Sequence, residues 1–439
     1  MTRMQHLGWF FSRGFGPQGW KRPSQRWDWR WTDPAIYQQA VRELEQAGLD
    51  LVIAEDAISL GTEETLDVRI REAYGGPKLD PLLLAPYLFQ ATRSIGVAPT
   101  VNAGITPPYL AARQAATLHH LSRGRFGLNV VTDVKSARHV GLPELAHDAA
   151  YERAEEWTSL LRRLWRSWGD GALVEDAETG RYADASRLDA FRHEGEHFRV
   201  AGPLNAPPFG DLGEPAIVSP GGSGPGLAFA GRNSDVQLAL SPLDVDSIRA
   251  YRARIHEAAR EHGRSAAGIR ILFVVKPELV SSPEEADRLV RASASPDDAA
   301  IADILAGQSS DLETDLTVLD WDRPLDPAIF GDHVSQGTIR GLRGPYERFE
   351  DATLRELAAA KARRRRLPDG GTVGTAEELA DVLEALGDDA DNDGIILSGD
   401  LHPVTVHRML DELVPVLRRR GVLRTEYGDG GIRANLFDF

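Results

Sequence analysis

The 439-residue chain contains no cysteine, which excludes disulfides, thiolate metal sites, iron–sulfur clusters and a cysteine nucleophile together. Any redox chemistry is therefore expected from a bound cofactor. An excess of positive charge is also missing: 50 Lys and Arg stand against 66 Asp and Glu, a formal charge of −16. Such a surface repels a phosphate backbone, so no nucleic acid is expected as a partner. A long apolar run is absent from the amino terminus, where Leu7 to Phe11 is too short for a signal-peptide core or a membrane span. The expectation is a cytoplasmic protein with no membrane partner. What remains is the balance of an ordinary globular chain, 42% apolar and 26% charged, enough for a sizeable core.

Apolar runs bounded by turn residues alternate with longer amphipathic segments, the signature of a parallel sheet. The strand candidates are Leu7 to Phe11, Leu49 to Ala54, Ile95 to Val101, Phe126 to Val131, Pro215 to Ser219, Val236 to Leu240, Ile269 to Val275 and Gly394 to Leu397. Between them, Asp33 and Pro34 are suited to open a helix that Gly48 stops, with Ile36, Ala40, Val41, Leu44 and Ala47 as its buried stripe. Further helices are expected after Asp80 and Pro81, from about Pro108 to Leu121, and from about Ala149 to Trp168. A doubly wound open sheet gives the same alternation, but eight strands favour closure into a (β/α)₈ barrel of one domain. Two stretches exceed an ordinary loop and are expected as insertions. One, about 169–213, contains His193 to Val200 and reads as a rim hairpin; the other, about 295–371, reads as a lid, a substrate wall or a solvated excursion.

The chemistry-bearing candidates lie near strand ends. Gly221, Gly222, Ser223, Gly224, Pro225 and Gly226 follow a strand and precede a helix expected over Leu227 to Arg232. Small residues there let backbone N–H groups approach a phosphate, and the helix presents its positive end to it. Neither the three-glycine dinucleotide spacing nor a following Walker-type lysine is present. Asp56 ends the second strand, Thr100 and Asn102 close the third, and Asn129 and Thr132 close the fourth, a ring of short polar groups suited to a planar polar cofactor. His193 to His197 spell HEGEH, which formally satisfies the HExxH zinc pattern. That chemistry needs both imidazoles on one helical face, whereas Gly195 interrupts the motif and Phe198 to Val200 continue as a strand.

Several ordered matches then carry a resemblance that runs nearly end to end. Leu118 to Thr132, LHHLSRGRFGLNVVT, is similar to DHLSxGRxGWNxVT of the bacterial luciferase-like flavin monooxygenases, in particular the group of nitrilotriacetate monooxygenase component A. Ala137 to Trp157 resembles that group's ARNFG element followed by His and Tyr before a long helix, and Pro215 to Gly226, PAIVSPGGSGPG, its strand and phosphate turn. His193 to Leu204 and Val414 to Tyr427, VPVLRRRGVLRTEY, continue the similarity. The resemblance implies a barrel with insertions and FMN contacts at Asp56, Thr100, Asn102, Asn129, Thr132, Tyr151, Gly222 and Ser223, the last two at the phosphate. His147 matches the group's His ahead of Tyr151 and is the candidate catalytic residue. Three departures stand out: Leu128 replaces the Trp expected beside the flavin, Phe15 to Lys21 replace a His-containing element, and Ser219 and Pro220 replace Gln and Ala at the phosphate turn.

The implied reaction takes FMNH₂ from a separate NAD(P)H:flavin reductase and O₂ as co-substrate, and oxygenates a small organic substrate. Water must be kept out, and Trp20, Trp27, Trp29 and Trp31 are candidates for an apolar wall or for plain packing. A deazaflavin-dependent oxidoreductase, a zinc hydrolase and a non-catalytic flavin-binding protein are the rival readings. Homodimers or homotetramers are implied by the same resemblance.

Overall fold

The computed structural model describes residues 3–11, 20, 30–71, 73–331, 334, 336–399 and 401–439. Phe15 to Gly19, Lys21, Trp27 and Trp29 lie outside the described residues. Eight parallel strands close a barrel: β1 (His6–Phe11), β2 (Leu51–Ala54), β3 (Gly96–Asn102), β4 (Gly127–Val131), β5 (Ala216–Pro220), β6 (Val236–Ala239), β7 (Arg270–Val275) and β8 (Gly394–Gly399). All eight stand where the apolar runs place them, within two residues at each end.

Between β1 and β2 runs α1 (Pro34–Gln46), whose first turn is capped by Asp33 accepting from Ala35 N at 2.9 Å. Its buried stripe is Tyr37, Ala40, Val41 and Leu44; Tyr37, not Ile36, leads it. Two helices join β2 to β3, α2 (Glu63–Arg71) and α3 (Pro81–Ala91), the former without a counterpart in the sequence reading. Helix α4 (Pro108–Leu121) follows β3, and α5 (His147–Trp165) follows β4. Two antiparallel hairpins then stand between α5 and β5, Leu173–Asp176 with Arg181–Ala183 and Arg192–Glu194 with Arg199–Ala201.

Helix α6 (Gly224–Asn233) begins inside the glycine-rich stretch, three residues before the expected Leu227, because Ser223 caps it and Pro225 fits its first turn. Helix α7 (Val245–Glu261) follows β6. After β7 come α8 (Pro283–Ala292), α9 (Asp298–Leu312), α10 (Gln336–Arg343) and α11 (Leu354–Ala362), and α12 (Ala376–Ala390) leads into β8. Helices α9 to α11 bury a cluster of their own, including Ile301, Leu305, Leu316, Phe349 and Leu357.

The period of two along each strand sorts the core into two layers. Leu51, Ile53, Ala98, Ala216, Val218, Leu238, Leu272 and Ile396 fill the barrel, while Trp9, Val52, Leu128, Val130 and Ile217 pack outward against the helices. A short helix near the carboxyl terminus, Ile432–Phe437, closes the amino-terminal end of the barrel with Ile432 and Leu436, whose burial contributes about 2 kcal/mol each. Glycine at position 96 permits this closure, since a Cβ there would lie 2.6 Å from Ile432. With that end sealed, access is from the carboxyl ends of the strands, the face where barrel enzymes place their chemistry.

Candidate functional site

At the carboxyl ends of the strands lies a cavity of about 410 Å³. Its floor is barrel: Phe10, Thr100, Asn129, Val131, Pro220 and Leu238. Its walls are Glu55, Asp56, Ala57 and Ser59 after β2, Lys78 before α3, Asp133 and Lys135 after β4, Arg69 on α2, and Ser310 and Asp311 on α9.

Thr100 and Asn129 are paired across β3 and β4 by strand register. The buried Thr100 hydroxyl donates to Ala54 O at 2.7 Å and accepts from Asn129 Nδ2 at 2.7 Å. This chain orients the Asn129 amide and leaves its Oδ1 buried without a hydrogen-bond partner. An orphaned acceptor of that kind costs about 1–3 kcal/mol unless a ligand or water supplies a donor. Asp56, on the wall of the same cavity, has its carboxyl pushed up to about 6, by burial first, against the lowering charge of Lys78, with Glu55 and Asp80 adding like-charge repulsion.

The glycine turn continues directly from Pro220 on the cavity floor. Gly221 has φ +130°, and a Cβ there would lie 2.8 Å from the Tyr151 hydroxyl, so the turn is glycine because Tyr151 lies against it. Gln237 Nε2 and the Tyr251 hydroxyl donate to Gly221 O at 2.8 and 3.1 Å, and Ser219 Oγ donates to Gln237 Oε1 at 3.1 Å. Carbonyl 221 is thereby held inward. Space around Gly222 and Gly224 is open, and Ser223 Oγ accepts from Gly226 N at 3.2 Å. His147 opens α5 with Nε2 3.4 Å from Ser223 Oγ and its ring 5.2 Å from that of Tyr151.

The structure thus brings the candidates into two neighbouring groups: Asp56, Thr100 and Asn129 in the cavity, and His147, Tyr151, Gly222 and Ser223 at the turn. Two candidates sit elsewhere. Asn102 is spent on the loops after β3 and β4, donating to Asp133 O at 2.7 Å and accepting from Gly104 N at 2.8 Å. Thr132 lines a separate cavity of about 50 Å³ with Ile105, Val134 and Arg153. It follows the last residue of β4, past the end of the strand that carries Asn129. Strand parity puts Leu128 on the face of β4 opposite Asn129, buried in the outer layer. Ser219, another of the departures, is an anchor of the turn. Gln237 and Tyr251 were missed because nothing in β6 or α7 marks them in sequence; they meet the turn through the fold. Lys78, Lys135 and Arg69 were missed because each sits in or near a loop with no motif.

HEGEH lies in a hairpin, not on a helix. His193, in strand Arg192–Glu194, is bonded through Nε2 to Glu156 Oε1 at 2.8 Å, and the same carboxylate accepts from the backbone of His197 and Phe198. The zinc geometry is not met, and among the described residues no group of three metal-ligating side chains occurs. Of the tryptophans, Trp20 is half exposed and Trp31 uses its carbonyl to accept from the Tyr37 hydroxyl.

A family model described as luciferase-like monooxygenase matches residues 7–391. The chain is 31% identical to dibenzothiophene-sulfone monooxygenase of Rhodococcus erythropolis (strain XP), over 99% of this chain and 96% of that protein. It is 30% identical to nitrilotriacetate monooxygenase component A of Aminobacter aminovorans, again over 99% and 96%. A crystal structure of riboflavin lyase with modified FMN and riboflavin superposes with a TM-score of 0.81 at 26% identity, covering 100% of this chain and 96% of that one. With the closed barrel and a cavity at its carboxyl end, these matches show that the chain belongs to the luciferase-like monooxygenase family and is a flavin-dependent monooxygenase.

Proposed function

We propose that the chain is the oxygenating component of a two-component system, using FMNH₂ from a separate NAD(P)H:flavin reductase and O₂ to oxygenate a small organic substrate. The observation that carries this reading is the buried, unpartnered Asn129 Oδ1 on a floor that runs without interruption into an open glycine turn. The first suits a flavin ring donor and the second a phosphate, so the residues present fit FMN. Asp56, Thr100 and Asn129 would hold the ring end; Gly222, Ser223, Tyr151 and His147 the phosphate end. His147 is accordingly assigned to binding, beside Ser223, and Asn102 and Thr132 to shaping the loops behind the site.

Bound reduced FMN supplies the electrons that activate O₂. The protein's own tasks follow from its residues. Thr100 fixes the Asn129 amide, Asp56 holds or releases a proton near neutral pH, and α9 covers the cavity with Ser310 and Asp311, limiting water. We read 1–439 as one barrel domain with insertions at about 169–213 and 295–371, the latter being the cover. A homodimer or homotetramer in the cytoplasm goes with this reading; among the described residues no helix is long and apolar enough to cross a membrane.

The test is anaerobic titration with FMNH₂ and with reduced deazaflavin, followed by O₂ and a substrate screen. Preferential FMNH₂ binding with oxygenated product supports the reading. Preference for the deazaflavin, with hydride transfer and no oxygen uptake, sinks it.

A further inference from the structure

The chain has five lysines among 50 basic residues, and two of them, Lys78 and Lys135, line the one 410 Å³ cavity. Lys78 is the more telling. Its side chain is 8% exposed, and among the described residues its ammonium meets one partner, Glu55 Oε2 at 2.7 Å. An ammonium has three donors, so two remain for whatever enters the cavity.

An apolar substrate pressed against Lys78 would strip water from those donors and return nothing, a cost of the kind that rejects ligands. An anionic group would satisfy them. Asp56, whose carboxyl is pushed up to about 6 and interacts with the Lys78 charge, makes room for one as it takes its proton. Glu55 is already engaged by Lys78, and the Asp133 carboxylate, which keeps its charge, is held in place by Lys135 N at 3.1 Å and by the Ser136 hydroxyl. Lys135 itself pairs at 3.1 Å with Glu313, leaving it too with unused donors. Arg69 and Asp311 contribute one charge of each sign to the same wall.

We propose that the substrate carries a carboxylate or sulfonate group and that Lys78 receives it, with Lys135 as the second cation of the wall. Lys78 is then a specificity-determining residue. The inference rests on the flavin reading of the cavity floor, which leaves the wall for the substrate.

The test titrates FMN-loaded protein with succinate and with neutral succinamide, following the flavin's visible difference spectrum. Succinate is expected to saturate and to weaken with added chloride, succinamide to give no change. Lys78→Met should weaken succinate at least about tenfold and Lys78→Arg much less, with FMN affinity by fluorescence quenching kept within about twofold in both. Since Lys78→Met strands Glu55, the double variant Glu55→Gln/Lys78→Met is measured beside it to separate charge loss from misfolding. Absent succinate binding, or equal binding by Lys78→Met, overturns the proposal. So does a parallel loss of FMN affinity, which would set Lys78 against the flavin. If the protein fails to bind FMN at all, the flavin reading falls first; calorimetric binding of succinate, lost in Lys78→Met, would still uphold the anion site.

Discussion

Asn129 donates through Nδ2 to the Thr100 hydroxyl at 2.7 Å, and Thr100 passes the bond on to Ala54 O, so the amide that faces the cavity has one orientation. Thr100→Val removes that acceptor and leaves Nδ2 buried without a partner. We expect a loss of about 1–3 kcal/mol in denaturant unfolding, together with weaker FMN binding. Asn129→Ala deletes both groups and should cost less stability, while weakening FMN about tenfold or more in fluorescence titration.

The turn offers a paired test. Gly221→Ala puts a methyl 2.8 Å from the Tyr151 hydroxyl at φ +130°, so it should lower Tm and weaken FMN together. Gly222→Ala meets open space and should leave Tm nearly unchanged. Equal Tm losses in the two variants would contradict the packing described.

Asp56 gives a pH signature. Its carboxyl titrates at about 6 in the folded chain and at 3.8 ordinarily, so the folded state binds the proton more tightly. The stability linked to that proton is full below about pH 4 and is lost as pH rises through about 6. Asp56→Asn should flatten this part of the stability–pH curve and remove a carboxyl infrared band present at pH 5 and absent at pH 8.

Arg69 Nε donates to Ser310 Oγ at 3.0 Å, joining α2 to α9 in the cavity wall. Ser310→Ala loosens that contact. Expected is a rise in hydrogen peroxide released per NADH consumed, with FMN affinity unchanged.

Chelators provide a control on the HEGEH segment. Because Glu156 engages His193 and the hairpin backbone, exhaustive treatment with EDTA, dialysed away before assay, should leave turnover unaltered, whereas Glu156→Gln should lower Tm.

The sequence by itself determined the barrel. Each strand is a run of apolar residues buried on both faces, and each helix start such as Asp33–Pro34 is a local event, so eight strands and most helices are written in short windows. It also determined the glycine turn, since Gly221 to Gly226 needs only its own neighbours to be recognised. Only the tertiary structure decided which polar residues meet. Strand parity sends Asn129 inward, Thr132 past the end of β4 lines a separate cavity, and loop geometry turns Asn102 back on Asp133. Gln237 and Tyr251 reach Gly221 across 16 and 30 residues of chain. Lys78 enters the cavity from a loop whose sequence carries no periodicity at all. Periodicity encodes which face of an element is buried; it does not encode what lies opposite that face, which depends on barrel closure and on the packing of α9 into the cavity wall.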